Sequence, residues 1–308
     1  MGLRNAPATF QRSIDEVLGK LKWRICAVFF DDLLGHSRTF EKHLIDLPQI
    51  LSRIRDAGMT IHPKKVQLCR RKFKLLGFII DHGQIRPDPD KVSKLKNYPV
   101  PRNVKDIQKF LGLIGFYRRF IEKFADLARP LTKLLSKSVK FLWTEETQSS
   151  FENLRHALIN YTLLYLPDLN KPFTIQTDAS DVGIGAVLLQ EIDEVRNPVW
   201  FASRVFQGAE TRYSTSEKEC LAVIYALDKF REFVEYSKFI IETDHQALAW
   251  LQRIKEPSGR LARWFMKLQM YDFEIKYRPG SSTHIHGADA LSRTHESVQR
   301  SRNFTQHC

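Results

Sequence analysis

The chain has 308 residues, 43% of them hydrophobic, which is enough for two or three domains with real cores and excludes a disordered protein. Its 48 Lys and Arg against 35 Asp and Glu leave a net charge of +13, an excess that points to a polyanionic partner, nucleic acid before anionic membrane. Four widely spaced cysteines with no CxxC pair argue against a zinc knuckle or a disulfide framework and for a reducing compartment. The apolar runs are too short to span a bilayer, and the N-terminus does not read as a signal peptide, so a secreted or membrane protein is not expected.

In chain order, residues 1–85 read as mixed α/β. Phe10, Ile14, Val17 and Leu18 fall at helical spacing within Pro7–Leu18. Ile25–Phe30 is β-like and runs straight into Asp31 and Asp32. Leu44–Ala57 is helical, with Gly58 as its stop. Leu75–Asp81 reads as one short strand before the turn signal His82-Gly83.

Residues 86–165 read as mostly helical after a start punctuated by Pro87, Pro89, Pro99 and Pro101. Segment 102–140 holds ten Lys/Arg against three Asp/Glu, interleaved with Phe110, Phe116, Tyr117, Phe120 and Phe124. That mix suits a surface gripping a nucleic-acid backbone, with Lys105, Lys109, Arg118, Arg119 and Lys123 as candidate contacts. A helical bundle with core aromatics and a solvated basic face is the competing reading.

Residues 166–293 predict strands at 172–178, 183–190, 197–203, 238–244 and 272–278, with helices after the third, fourth and fifth. The first of these helices carries the stripe Cys220, Val223, Ile224, Leu227, Phe230 and Val234. Ser214, Thr215 or Ser216 can cap it, and Ser216 with Glu219 fits a capping box. Periodicity does not separate Glu217 from Glu219. Residues 294–308 are polar and read as a disordered tail.

Four acids recur in this half: Asp178, Glu219, Asp244 and Asp289. If the runs ending in Asp178 and Asp244 are adjacent strands, their carboxylates meet at one end of a sheet. Like charges gather at a cost unless cations neutralise them. Hard oxygen ligands suit Mg²⁺, and two such ions about 4 Å apart suit phosphodiester cleavage.

These segments carry a resemblance. Gly2–Arg12 resembles the nucleotide-site helix of reverse transcriptases, and Val28-Phe-Phe-Asp-Asp32 is similar to their Tyr-x-Asp-Asp turn, with Phe29 for Tyr. Leu51–Lys65 and Leu75–Phe78 resemble later palm motifs, while Phe110–Ile121 and Ala128–Leu135 resemble the thumb region. Thr177–Ser180, Ser216–Ala222, Glu242–His245 and Ala288–Arg293 resemble a ribonuclease H domain. Taken in order over residues 2–293, they resemble the Pol polyprotein of gypsy-class long-terminal-repeat retrotransposons.

The resemblance implies a multi-domain α/β chain. Residues 1–85 would form a partial palm, 86–165 a helical, basic thumb or connection, and 166–293 a ribonuclease H-like mixed five-stranded sheet with flanking helices. It implies two Mg²⁺ ions, with Mn²⁺ as an alternative, on Asp178, Glu219, Asp244 and Asp289, which selects Glu219 over Glu217. Asp31 and Asp32 would be metal ligands of the polymerase. Tyr277, His284 and His286 are alternative proton carriers. The implied activity is hydrolysis of the RNA strand of RNA–DNA hybrids, and the partners are such hybrids and template-primer nucleic acid. Association as a homodimer or with other Pol chains is left open, as is a cytoplasmic (virus-like particle) or nuclear location. The polymerase chemistry needs a third carboxylate upstream of Asp31, where only Asp15 and Glu16 stand, both within the helix motif. The fingers region is absent as well. The competing readings are a binding relic without catalysis, and a polymerase competent only with upstream sequence or a partner Pol chain.

Overall fold

The computed structural model describes residues 5–243 and 259–277, which fall into two compact units divided between His82 and Gly83.

In the first unit, helix α1 (Ala6–Leu18) has Pro7 in its first turn, where a missing N–H costs nothing, and stops at Gly19, φ 48°. Strands β1 (Cys26–Phe29) and β2 (Asp32–Gly35) pair antiparallel with Phe29 opposite Asp32. Helix α2 spans Phe40–Asp56 and starts four residues before the expected Leu44 because Thr39 caps it, its hydroxyl accepting the Lys42 N–H at 3.2 Å. The run expected as one strand from Leu75 to Asp81 is a hairpin: β3 (Lys72–Leu75) pairs antiparallel with β4 (Phe78–Asp81). Leu76 and Gly77 between them have φ of 50° and 82°, the left-handed pair that a two-residue turn matched to strand twist requires. The apolar pattern continues through the turn and so conceals it. The core of this unit is small: Ile14, Leu18, Cys26, Val28, Ile50 and Ile54.

The second unit opens with β5 (Gln84–Pro87), α3 (Pro89–Lys96), α4 (Val104–Gly115), α5 (Phe124–Lys133), α6 (Glu145–Ile159) and β6 (Leu164–Tyr165), which pairs with β5. Its caps follow the sequence closely. The Asn103 side chain accepts the Asp106 N–H at 3.0 Å, and Thr144 and Thr147 cap α6 reciprocally. Phe110, Phe120 and Phe151 are fully buried and Tyr117 nearly so, while Phe116 remains exposed. Most of the interleaved aromatics therefore form core rather than a stacking surface.

Then come β7 (Phe173–Ala179), β8 (Gly183–Ile192), β9 (Val195–Val205), α7 (Thr215–Lys229), α8 (Arg231–Val234), β10 (Phe239–Thr243), α9 (Gly259–Leu268) and β11 (Phe273–Tyr277). The five strands form one mixed sheet in the order β11-β10-β7-β8-β9, antiparallel across β7-β8-β9 and parallel across β7-β10-β11. Ile175 of β7 and Ala186 and Leu188 of β8 join the stripe of α7 in one core with Phe239 and Ile241 of β10. On the opposite face, Ser203 of β9 accepts the Ala125 N–H at the start of α5 at 2.9 Å, so the basic helical segment and the sheet belong to one unit.

Candidate active site

Helix α7 gives different surroundings to the two glutamates that periodicity leaves alike. Its cap is Ser214, not Ser216. The Ser214 hydroxyl accepts the Glu217 N–H at 3.3 Å, and the Glu217 carboxylate accepts the Ser214 N–H at 2.9 Å. Burial would raise the Glu217 carboxyl, but the Ser214 N–H and hydroxyl and the Arg260 guanidinium outweigh it and hold the group below the ordinary range. The capping box expected for Glu219 therefore belongs to Glu217. Glu219, two residues further in, is 4% exposed. It also lifts its neighbour: burial pushes the Cys220 thiol up to about 12, with Glu219 and Glu217 adding to the effect.

Asp178 lies at the far end of β7, opposite Gly185 of β8, which in turn faces Ser203 of β9. Aligned residues of adjacent strands share a face, so Asp178 lies on the α5 side of the sheet, while α7 packs on the other. Both elements reach the same end of β7. Lys218 of α7 comes within 4.0 Å of Asp181 in the β7–β8 turn, which sets the first turns of α7 beside the end that carries Asp178. Asp178 and Glu219 thus approach one end of the sheet from different layers.

Strand β10 lies parallel beside β7, with Glu242 opposite Gln176. Asp244 follows Thr243, the last residue of β10, in the sequence; with Asp289, His284 and His286 it lies outside the described residues. Tyr277 ends β11 opposite Thr243 and is exposed. No group of three or more His, Cys, Asp or Glu side chains able to hold a metal gathers among the described residues. The described part of the donor set, two carboxylates, suits a hard cation, and Asp178 already draws a positive group: the Lys123 ammonium stands 3.5 Å from its Oδ2.

Lys123 reads from sequence as a nucleic-acid contact, but its placement on Asp178, and that of Asp126 beside it, carry no signal in the linear sequence. Lys123 precedes α5 with a left-handed backbone, φ 52°. Asp126, in the first turn of α5, faces the same group: burial pushes its carboxyl up, Lys123 pulls it down, Asp178 pushes it up and Arg129 pulls it down. A third feature did carry a signal. Glu242 is an acid within a strand paired on both sides, which demands a partner. It is 7% exposed and accepts from both Arg196 nitrogens, at 2.8 and 2.9 Å, and from Gln176 at 2.8 Å.

The remaining basic candidates divide. Lys105 and Lys109 lie exposed on α4, Lys109 within 3.7 Å of Asp106. Arg118 is exposed and acts on the buried Tyr225 hydroxyl, whose pKa burial raises and Arg118 and Arg204 lower. Arg119 is turned inward: its guanidinium lies 4.9 Å from the Trp200 ring and 5.2 Å from Phe120, and burial lowers its pKa to about 10. In the first unit, Asp31 and Asp32 are exposed at the β1–β2 hairpin tip, where Phe30 has φ 52° and its N–H reaches Gln11 Oε1 at 2.6 Å. Asp15 is engaged elsewhere. Lys22 at 2.6 Å and Gln11 at 2.9 Å hold it, and the Lys22 hydrogen bond keeps its carboxyl low.

No described helix is long and apolar enough to cross a membrane. Of the described cysteines, Cys26 and Cys220 are buried and Cys69 is exposed.

Residues 1–80 match the family described as reverse transcriptase (RNA-dependent DNA polymerase), and residues 168–271 match the RNase H-like domain found in reverse transcriptase. The retrovirus-related Pol polyprotein from transposon 297 of Drosophila melanogaster is 38% identical over 308 residues, 99% of this chain and 28% of that protein. The corresponding polyprotein from transposon 412 of the same organism is 36% identical over 95% of this chain and 23% of its own length. The transposon Tf2-3 polyprotein of Schizosaccharomyces pombe is 36% identical over 95% of this chain and 22% of its own length. The chain thus spans about a quarter of the length of these relatives. Among solved structures, the foamy viral protease-reverse transcriptase in complex with RNA/DNA hybrid matches with a TM-score of 0.75 at 24% identity, over 90% of this chain and 38% of that one. A second structure of that protein, in complex with double-stranded DNA, gives a TM-score of 0.78 at 24% identity, over 90% of this chain and 50% of that one. The chain thus carries reverse-transcriptase sequence followed by an RNase H-like domain, and along nearly its whole length it is similar to the Pol polyproteins of gypsy-like long-terminal-repeat retrotransposons.

Proposed function

We propose that the C-terminal sheet hydrolyses the RNA strand of RNA–DNA hybrids. The observation that carries this reading is a carboxylate at 4% exposure, Glu219, at the end of β7 that bears Asp178. The neighbouring parallel strand β10 leads in sequence directly into Asp244. Asp178, Glu219, Asp244 and Asp289 would hold two Mg²⁺ ions, with Mn²⁺ as a substitute. Such ions activate a water and stabilise charge on the leaving oxygen. The chain's own residues set the carboxylates and bring basic groups to the backbone: Lys105, Lys109 and Arg118 are exposed on the helical segment of the same unit. The foamy viral protease-reverse transcriptase of similar fold is found in complex with RNA/DNA hybrid.

Nucleotide addition by this chain alone is the weaker reading. Two-ion polymerisation asks for a third carboxylate beside Asp31 and Asp32. Of the acids near them in sequence, Asp15 is committed to Lys22.

The test is cleavage of a labelled RNA–DNA hybrid by the full chain with and without Mg²⁺. Asp178→Asn and Glu219→Gln each should lower the rate by at least about a hundredfold, the scale of losing a group that stabilises transition-state charge. A folded, Mg²⁺-supplied chain that leaves the hybrid whole would refute the reading.

A further inference from the structure

Lys123 is not a lysine that happens to rest on the surface near Asp178. Its backbone is fixed in the left-handed region, φ 52°, and its carbonyl accepts the first N–H groups of α5, from Asp126 at 3.0 Å and Leu127 at 3.2 Å. Two residues on, the Ala125 N–H is held by Ser203 at 2.9 Å. Ser203 stands opposite Gly185, and Gly185 opposite Asp178, so one cross-strand row carries both the anchor of α5 and the carboxylate.

Of the two glycines on this face of β8, only Gly183 is tightly enclosed. A Cβ on Gly183 would stand 3.2 Å from Asp126 Oδ1 and 2.6 Å from the Arg204 carbonyl oxygen. A Cβ on Gly185 would meet only the Asp178 main-chain oxygen, at 4.0 Å. The lysine root is therefore built against this row, and its ammonium reaches 3.5 Å from Asp178 Oδ2 with both side chains about half exposed. Among the described residues, Asp126 of α5 lies in the field of Lys123, with Arg129 acting on the same carboxylate.

We propose that Lys123 is a displaceable counter-cation, competing with a divalent ion for Asp178 and so setting the ion concentration at which the site fills. The inference rests on the metal-site reading above. A monovalent group on a half-exposed carboxylate is held weakly, by the order of magnitude of surface ion pairs. A divalent ion can therefore expel it, but pays for doing so in apparent affinity. Asp126, on the first turn of the same helix, is a second carboxylate within the field of Lys123 and offers the expelled ammonium a partner.

The test is Mg²⁺ titration of the full chain by calorimetry, without nucleic acid, alongside the rise in melting temperature on Mg²⁺ addition. Lys123→Met keeps the side-chain length and removes the charge; its apparent Mg²⁺ Kd should fall about threefold to tenfold, and less at high salt. Lys123→Arg keeps the charge and should stay near wild type. An unchanged or higher Kd in Lys123→Met overturns the proposal. So does weaker hybrid binding in that variant with unaltered Mg²⁺ affinity, which would assign Lys123 to a phosphate instead. Hybrid cleavage by the wild type separates the two levels. If cleavage is Mg²⁺-dependent while the lysine variant titrates like wild type, only the counter-cation falls; if neither chain binds Mg²⁺, both readings do.

Discussion

In the second unit the sheet is covered on one face by α7 and meets α5 on the other, and its central strands β10 and β7 are each paired on two sides. In the first unit β1 and β2 form only a two-stranded ribbon over six buried side chains. Phe29, Phe30 and Leu33 stand out from that ribbon, and Phe40, Leu44 and Ile45 stand out from α2, all of them exposed. A two-stranded hairpin is marginal in water unless something packs on it, and clustered exposed apolar side chains mark surface that wants cover. The sheet of the second unit is thus stabilised by its own chain, while the first unit keeps its carboxylate pair on a tip with little beneath it. A conserved-looking motif and a self-sufficient fold are separate properties.

Core truncation offers the largest break in this comparison. Leu18→Ala and Leu227→Ala both remove a fully buried side chain, each at about 2–5 kcal/mol. Leu18→Ala should unfold the small unit, seen as early proteolysis and fast amide exchange within residues 5–82, with hybrid cleavage retained. Leu227→Ala should abolish cleavage together with the melting transition of the sheet. Equal sensitivity of both units to both changes would erase the contrast.

Next in size is the ion pair between Arg196 of β9 and the buried Glu242 of β10. Arg196→Met leaves Glu242 in place at 7% exposure without its guanidinium. Removing one partner of a fully buried pair costs about 3–5 kcal/mol. Arg196 is half exposed, so about 2 kcal/mol is expected, measured by denaturant melts, with a cleavage defect because β10 leads into Asp244. A variant as stable and active as wild type would show that the strand needs no such clamp.

The smallest effect belongs to the cap of α7. Glu217→Ala should cost about 1 kcal/mol at neutral pH. The Glu217 carboxyl is held low in the folded chain, so its contribution is present above the ordinary glutamate range and is lost as pH falls through the lowered value. The melting-temperature gap between wild type and Glu217→Ala should therefore close in acid, with cleavage at neutral pH little changed. A gap independent of pH would mean that packing, not the carboxylate, holds the helix end.

Much of the second unit was legible because its signals are local and agree. Alternation marked Phe173–Asp178 and the stripe Cys220–Val234 marked α7, while the adjacency of the two runs ending in Thr-Asp stood only as a condition, which the parallel pairing of β7 with β10 meets. What escaped was either compensated or distant. Leu76-Gly77 hid a turn because the apolar residues around it continue the pattern of a strand. Ser216-Glu219 imitated a capping box that Ser214 and Glu217 form two residues earlier, and only burial separates the two glutamates. Phe110 and Phe120 resembled stacking surfaces because an aromatic in a basic segment reads the same whether it faces solvent or core. Lys123 and Asp178 are 55 positions apart, and no periodicity connects a helix-capping lysine to a strand-end acid.

The unequal fates of the thiols supply a practical instrument. Cys26 is sealed in the small core, and Cys220, held near 12, is hardly ever a thiolate at neutral pH. With Cys308 changed to serine, a maleimide dye would mark Cys69 alone. That places a single fluorescent reporter on the less self-sufficient half of the chain, where its loosening can be watched while the five-stranded sheet stays unlabelled.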